Sequence, residues 1–138
     1  MYSNVLVPVD LEHSDQAGAM IRTAVAIAGN DAKLKLLFVM PEIPIVVGLQ
    51  LPEDSAENAK TDAERKLQKI ATTSNAPQTT TVITVVGRPH HNILEVAERD
   101  GTDLIVIASH QPSIADYLLG SVAASGVRHA KCSVHVMR

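Results

Sequence analysis

Tryptophan is absent from this chain, and the aromatic residues amount to Tyr2, Phe38 and Tyr117. That excludes the aromatic stacking platforms used by single-stranded nucleic-acid binders, and cofactor sandwiches built on tryptophan. An excess of positive charge is missing too. Twelve Lys and Arg stand against fifteen Asp and Glu, a formal net charge of -3, so nucleic acid is not an expected partner. Cys132 is the one cysteine; an intrachain disulfide and a cysteine-based zinc site are both excluded, and a reducing cytoplasm is the expected compartment. Long hydrophobic runs are lacking as well. Met1 to Val5 carries no basic region ahead of an apolar one, and the first apolar run breaks at Asp10, so neither a signal peptide nor a membrane span is expected. No G-x-x-x-x-G-K-[ST] occurs, which removes the phosphate-loop NTPases from consideration.

What remains is a chain of 138 residues, 46% apolar and 20% charged, able to bury a core and expected to form one domain over residues 1–138. Short runs rich in Val, Ile and Leu occur at Val5 to Val9, Leu34 to Met40, Val82 to Val86, Leu104 to Ala108 and Val134 to Met137. Runs of this kind suit strands buried on both faces. Between the first two, Ala17, Met20, Ile21, Ala24, Val25 and Ala28 keep the three-four spacing of one helix face, with Ser14 placed to cap it and Gly29 to stop it. A second helix is expected from about Asp54 to Ala71, opening on Asp54-x-x-Glu57 and burying a narrow face of Ala56, Ala59, Ala63, Leu67 and Ile70. The third starts at Gly87-Arg88-Pro89 and buries Ile93, Leu94 and Ala97; the fourth runs from Gly120 to Ala130. Pro41 to Pro52 reads as a loop. Strands alternating with helices imply a three-layer α/β/α domain of Rossmann-like type around a five-stranded parallel sheet.

In an open parallel sheet, ligands bind at the carboxyl ends of the strands where strand order reverses. Those ends are Asp10, Met40, Gly87 and Ser109. Asp10 has two readings: a carboxylate for a ribose hydroxyl, a base amine or a metal carried by phosphates, or a cap on the following turn. Gly120-Ser121 opens the last helix, where unpaired N–H groups, a hydroxyl and the positive helix end suit a phosphate, although the same pair also serves as a simple helix break and cap. Among six histidines, adjacent His90 and His91 are a poor metal pair, His129 suits a helix C-terminus, and His135 lies within the last strand. His110 alone occupies the candidate ligand loop. Cys132 reads as structural, and no catalytic or metal-binding set is identified.

Three stretches together carry a family resemblance: Asn4-Val5-Leu6-Val7-Pro8-Val9-Asp10, Gly87-Arg88-Pro89, and the ending from Asp103 to Arg138. Its most specific part, Leu118-Leu119-Gly120-Ser121-Val122-Ala123 with Val127 to Val136, is similar in order and spacing to the ending of universal stress proteins. The resemblance implies strand order 3-2-1-4-5, a homodimer, and a site for ATP, AMP or ADP with Mg2+ accompanying the nucleotide. It places adenine and ribose contacts at Pro8, Val9 and Asp10, the backbone of Val39 at the base, and Ile107 and Ala108 beneath it. Phosphates are assigned to Ser109, His110 and Gln111 and to Gly120, Ser121 and Val122. The family pattern of Gly, two residues, Gly, nine residues, Gly-Ser is altered here: Ala108 and Gln111 replace the first two glycines, and Gly120 follows one residue early. Glycine allows close backbone approach to phosphate, and the chain carries Pro112 in its place. With Asp10 the single carboxylate placed at the carboxyl edge, little or no turnover is expected. The strand Ser133 to Met137, an edge strand in that order, is the expected dimer seam.

Overall fold

The computed structural model describes residues 2–42, 55–109 and 121–138. Five strands form, β1 (Asn4–Pro8), β2 (Lys33–Met40), β3 (Thr81–Val86), β4 (Leu104–Ala108) and β5 (Ser133–Met137), with α1 (Ala17–Ala28), α2 (Ser55–Thr73), α3 (Pro89–Arg99) and α4 (Ser121–His129) between them. All neighbouring pairs are parallel and the order is β3-β2-β1-β4-β5, the order the resemblance implies.

Alternation along each strand sorts its side chains to the two faces. Val5, Val7 and Val9 of the first strand segment, Leu34 and Leu36 of β2, and Leu104 and Val106 of β4 pack with Met20, Ile21 and Ala24 of α1 and Leu67 and Ala71 of α2. On the opposite face Leu6, Leu37, Val39, Ile105 and Ile107 meet Ile93, Val96 and Ala97 of α3 and Ala123 of α4. Leu6, Ile21, Leu36, Leu37, Leu67 and Ile105 are all 0% exposed, and each contributes about 1.5–3 kcal/mol through burial. The central strands therefore read as continuous apolar runs because both of their faces are covered.

Some local expectations change. Ser14 does not cap α1: a 3-10 stretch, Leu11–Gln16, intervenes, the residue before α1 is Gln16 without a side-chain cap bond, and Ser14 instead accepts the Ala17 N–H through its carbonyl. The 3-10 turn begins where Asp10 caps it, so the cap needed by the chain leaving β1 sits four residues earlier. In α3 Val96 is buried while Leu94 stays half-buried, because 100° per residue brings Ile93, Val96 and Ala97 onto one line. Gly29 does stop α1, with φ of 90° and its N–H on the Val25 carbonyl. Asp54 and the chain from residue 43 in the expected loop lie outside the described residues, as do His110, Gln111 and Gly120.

At the amino edge, Asp103 accepts the N–H groups of Ser3 and Asn4 at 2.8 and 3.0 Å and donates its own N–H to the Asn4 carbonyl. This clamp sets β4 beside β1. Lys35 of β2 and Arg99 both reach Asp100 at the end of α3, and the two cations hold its carboxyl at about 2, well below 3.8, Arg99 contributing most.

Candidate functional site

β1 is flanked by β2 on one side and β4 on the other, so the strand order switches between β1 and β4, and the carboxyl ends of these two strands are where an open parallel sheet forms its ligand crevice. The pairs Val5↔Leu104 and Leu6↔Ile105 fix the register of β1 on β4; counted onward along two parallel strands, Pro8 corresponds to Ile107 and Val9 to Ala108. Five of the expected contact residues thus belong to the carboxyl ends of two neighbouring strands far apart in sequence: Pro8, Val9 and Asp10 after β1, Ile107 and Ala108 of β4. Val9 is fixed by donating to the Leu37 carbonyl at 2.8 Å. Because alternate residues of a strand send both backbone groups to the same side, Val39 addresses the β1 side two residues beyond Leu37, past the last register pair of that ladder, Pro8↔Leu37. Its backbone groups therefore point to the β1 side at the carboxyl end of β2.

Ile107 is 4% exposed, with Ala108 half-buried beside it. Ser109 begins the loop after β4, and its N–H is held by the Met137 carbonyl of β5 at 2.7 Å. On the far side Ser121 and Val122 open α4, Ser121 exposed and Val122 packed on the α3 side of the core. The first N–H groups of a helix lack intrahelical partners, so this start offers donors and a partial positive charge.

For Asp10 the structure decides in favour of the cap without removing it from the crevice. Its Oδ1 accepts the Glu12 N–H at 3.0 Å and its Oδ2 lies 3.1 Å from His13 Nδ1. The carboxylate itself stays 61% exposed, and each oxygen keeps a further lone pair for an incoming donor. His13 was not singled out from the sequence; the available signal was the Asp-x-x-His spacing directly after a strand end, which places both residues on one side of a turn. Asp10, Glu12 and His13 bring their ligand atoms within 4.8 Å of one another, all at exposed positions, and exposed groups of this kind form no metal cage by themselves.

Of the other described histidines, His90 and His91 are exposed at the start of α3, His91 facing Glu95, and His129 and His135 are exposed in α4 and β5. Cys132 lies between α4 and β5, where burial first and Asp103 second push its thiol up, against thiolate chemistry. It lines a cavity of about 230 Å³ with Leu94, Glu98 and His129. A smaller one of about 180 Å³ lies by Lys33, Lys35 and Asp100. Both sit at the amino edge of the sheet, across the molecule from the strand ends that gather the candidate residues.

The profile described as the Universal stress protein family matches residues 1–138. Universal stress protein G of Escherichia coli O157:H7 is 31% identical over 142 residues, covering 100% of both chains. Among solved structures, the universal stress protein UspA from Lactobacillus plantarum is 34% identical with a TM-score of 0.71, over 99% of this chain and 98% of that one. A universal stress protein solved in complex with cAMP is 27% identical with a TM-score of 0.67, over 99% and 97%.

Proposed function

The chain belongs to the universal stress protein family, and from that premise we propose that it binds an adenine nucleotide, ATP before AMP or ADP, as a homodimer that turns the nucleotide over slowly or not at all. The observation that carries the reading is the parallel pairing of β1 with β4 at the centre of the sheet, which sets the strand ends carrying Pro8, Val9 and Asp10 and Ile107 and Ala108 side by side. A relative of the same fold is solved with an adenine nucleotide, cAMP. Asp10 would accept hydrogen bonds from the nucleoside part, Val39 would present backbone groups to the base, and Ser121 and Val122 would offer N–H donors to phosphate.

Mg2+ would arrive on the phosphates and neutralise part of their charge. The donor set agrees with that order, since Asp10, Glu12 and His13 are exposed and Mg2+ is ordinarily held by one or two carboxylates together with phosphate oxygens. Slow turnover is supported by Asp10, whose carboxylate is engaged by the Glu12 N–H and His13 as a cap and is not set out as a base for a water.

For assembly, the support is β5 itself. His135 and Met137 direct their backbone groups to β4, since Met137 accepts from Ser109, so Val134 and Val136 direct theirs outward at the sheet edge. Such an edge calls for a partner strand, and a second copy across a two-fold axis satisfies both edges together.

The test is calorimetry and thermal shift with ATP and Mg2+, AMP and ADP. Saturable binding with a raised melting temperature is expected; no heat and no shift at millimolar nucleotide would leave a dimeric adaptor, a reading favoured by Ala108 and Gln111 at the family's glycine positions. Light scattering is expected to give a dimer that Val136→Pro weakens by removing an edge donor.

A further inference from the structure

We infer that His13 is a positioning residue for the nucleotide site, holding the Asp10 carboxylate in the one orientation that leaves its free lone pairs toward the crevice; the inference rests on the reading of that crevice as a nucleotide site. A 61% exposed aspartate at the end of a strand would ordinarily exchange among rotamers, and a ligand would have to select one of them. Here both oxygens are occupied from the chain side. Oδ1 accepts the Glu12 N–H at 3.0 Å, and Oδ2 is met by His13 Nδ1 at 3.1 Å.

His13 is itself held in place. Its N–H donates to the Asp10 carbonyl at 3.0 Å, so the ring and the backbone of one residue grip the same aspartate. Its φ of -136° and ψ of 60° depart from the 3-10 geometry of the residues around it, and three residues per turn stack position 13 over position 10. With Nδ1 carrying the proton, the imidazole donates and the carboxylate remains an acceptor of further bonds. A ligand seated at Asp10 must then bring donors, as ribose hydroxyls or an exocyclic amine do.

The experiment is a calorimetric comparison of AMP binding by the full chain and its variants. His13→Ala is expected to weaken AMP about two- to fivefold, the range of an exposed oriented pair, while the melting temperature of the free protein changes little. His13→Asn, whose amide nitrogen stands where Nδ1 was, is expected to recover most of the loss. In the Asp10→Asn background His13→Ala is expected to change affinity no further. Wild-type affinity in His13→Ala, or an equal loss in both backgrounds, would overturn the positioning role alone. Absence of AMP and ATP binding by the wild type would overturn the nucleotide reading, and this inference with it.

Discussion

Replacing Gly87 by alanine tests how the chain turns from β3 into α3 at the carboxyl edge. Gly87 closes the β2–β3 ladder by donating to the Met40 carbonyl at 2.8 Å, with φ of 155°. A Cβ there would lie 2.2 Å from Asn92 Oδ1 and 2.8 Å from Asn92 Cγ. Asn92 is not free to leave without loss: its Oδ1 accepts the Arg88 N–H at 2.8 Å, and Arg88 gives α3 no side-chain cap of its own. Displacing it costs about 1 kcal/mol for the lost bond, and holding alanine in a backbone conformation that glycine favours costs about 1–3 kcal/mol more. The sum is about 2–4 kcal/mol, a fall of roughly 6–15 °C in the melting midpoint for a chain of this size. Urea unfolding of Gly87→Ala, Asn92→Ala and the double variant measures the parts. Asn92→Ala should cost about 1 kcal/mol with glycine at position 87 and close to nothing with alanine there, because the bond is already broken. Full additivity, or a Gly87→Ala protein within about 0.5 kcal/mol of wild type, would refute the reasoning.

Thr84 is 0% exposed and its Oγ1 finds no partner among the described residues; Thr84→Val should therefore stabilise by about 0.5–1.5 kcal/mol in urea unfolding, since a buried hydroxyl without a described partner is replaced by a methyl group of the same shape. Asp100 titrates at about 2 in the folded state against 3.8 ordinarily, so its contribution is present above pH 4 and lost as pH falls through that interval. Discounted for partial exposure it amounts to about 1–2 kcal/mol; stability curves of wild type and Asp100→Asn should differ at neutral pH and converge toward the acid end. Cys132, its thiol pushed up by burial and by Asp103, should be alkylated by iodoacetamide more slowly in the native protein than in urea at the same pH.

Signals confined to neighbouring residues could be read directly from the sequence. Five apolar runs, the helical stripe from Ala17 to Ala28, the stop at Gly29 and the start at Pro89 all emerge where local pattern places them, because period, cap and turn are decided by residues only a few positions apart. Pro8, Val9, Ile107 and Ala108 were legible as strand ends for the same reason, and strand order came from resemblance, not from pattern. Contacts between distant positions belonged to the tertiary structure alone. Asp103 clamping Ser3 and Asn4, and Lys35 reaching Asp100, join residues 65 to 100 positions apart, which no window along the chain contains. In the short span from Asp10 to His13 the cap on the turn was one of two readings of Asp10, whereas the 3-10 stretch that sets the His13 imidazole against its carboxylate was seen only in the structure. A period-based reading places helices and strands, but a turn of a few residues is fixed by its own backbone angles, and those decided that His13 faces Asp10.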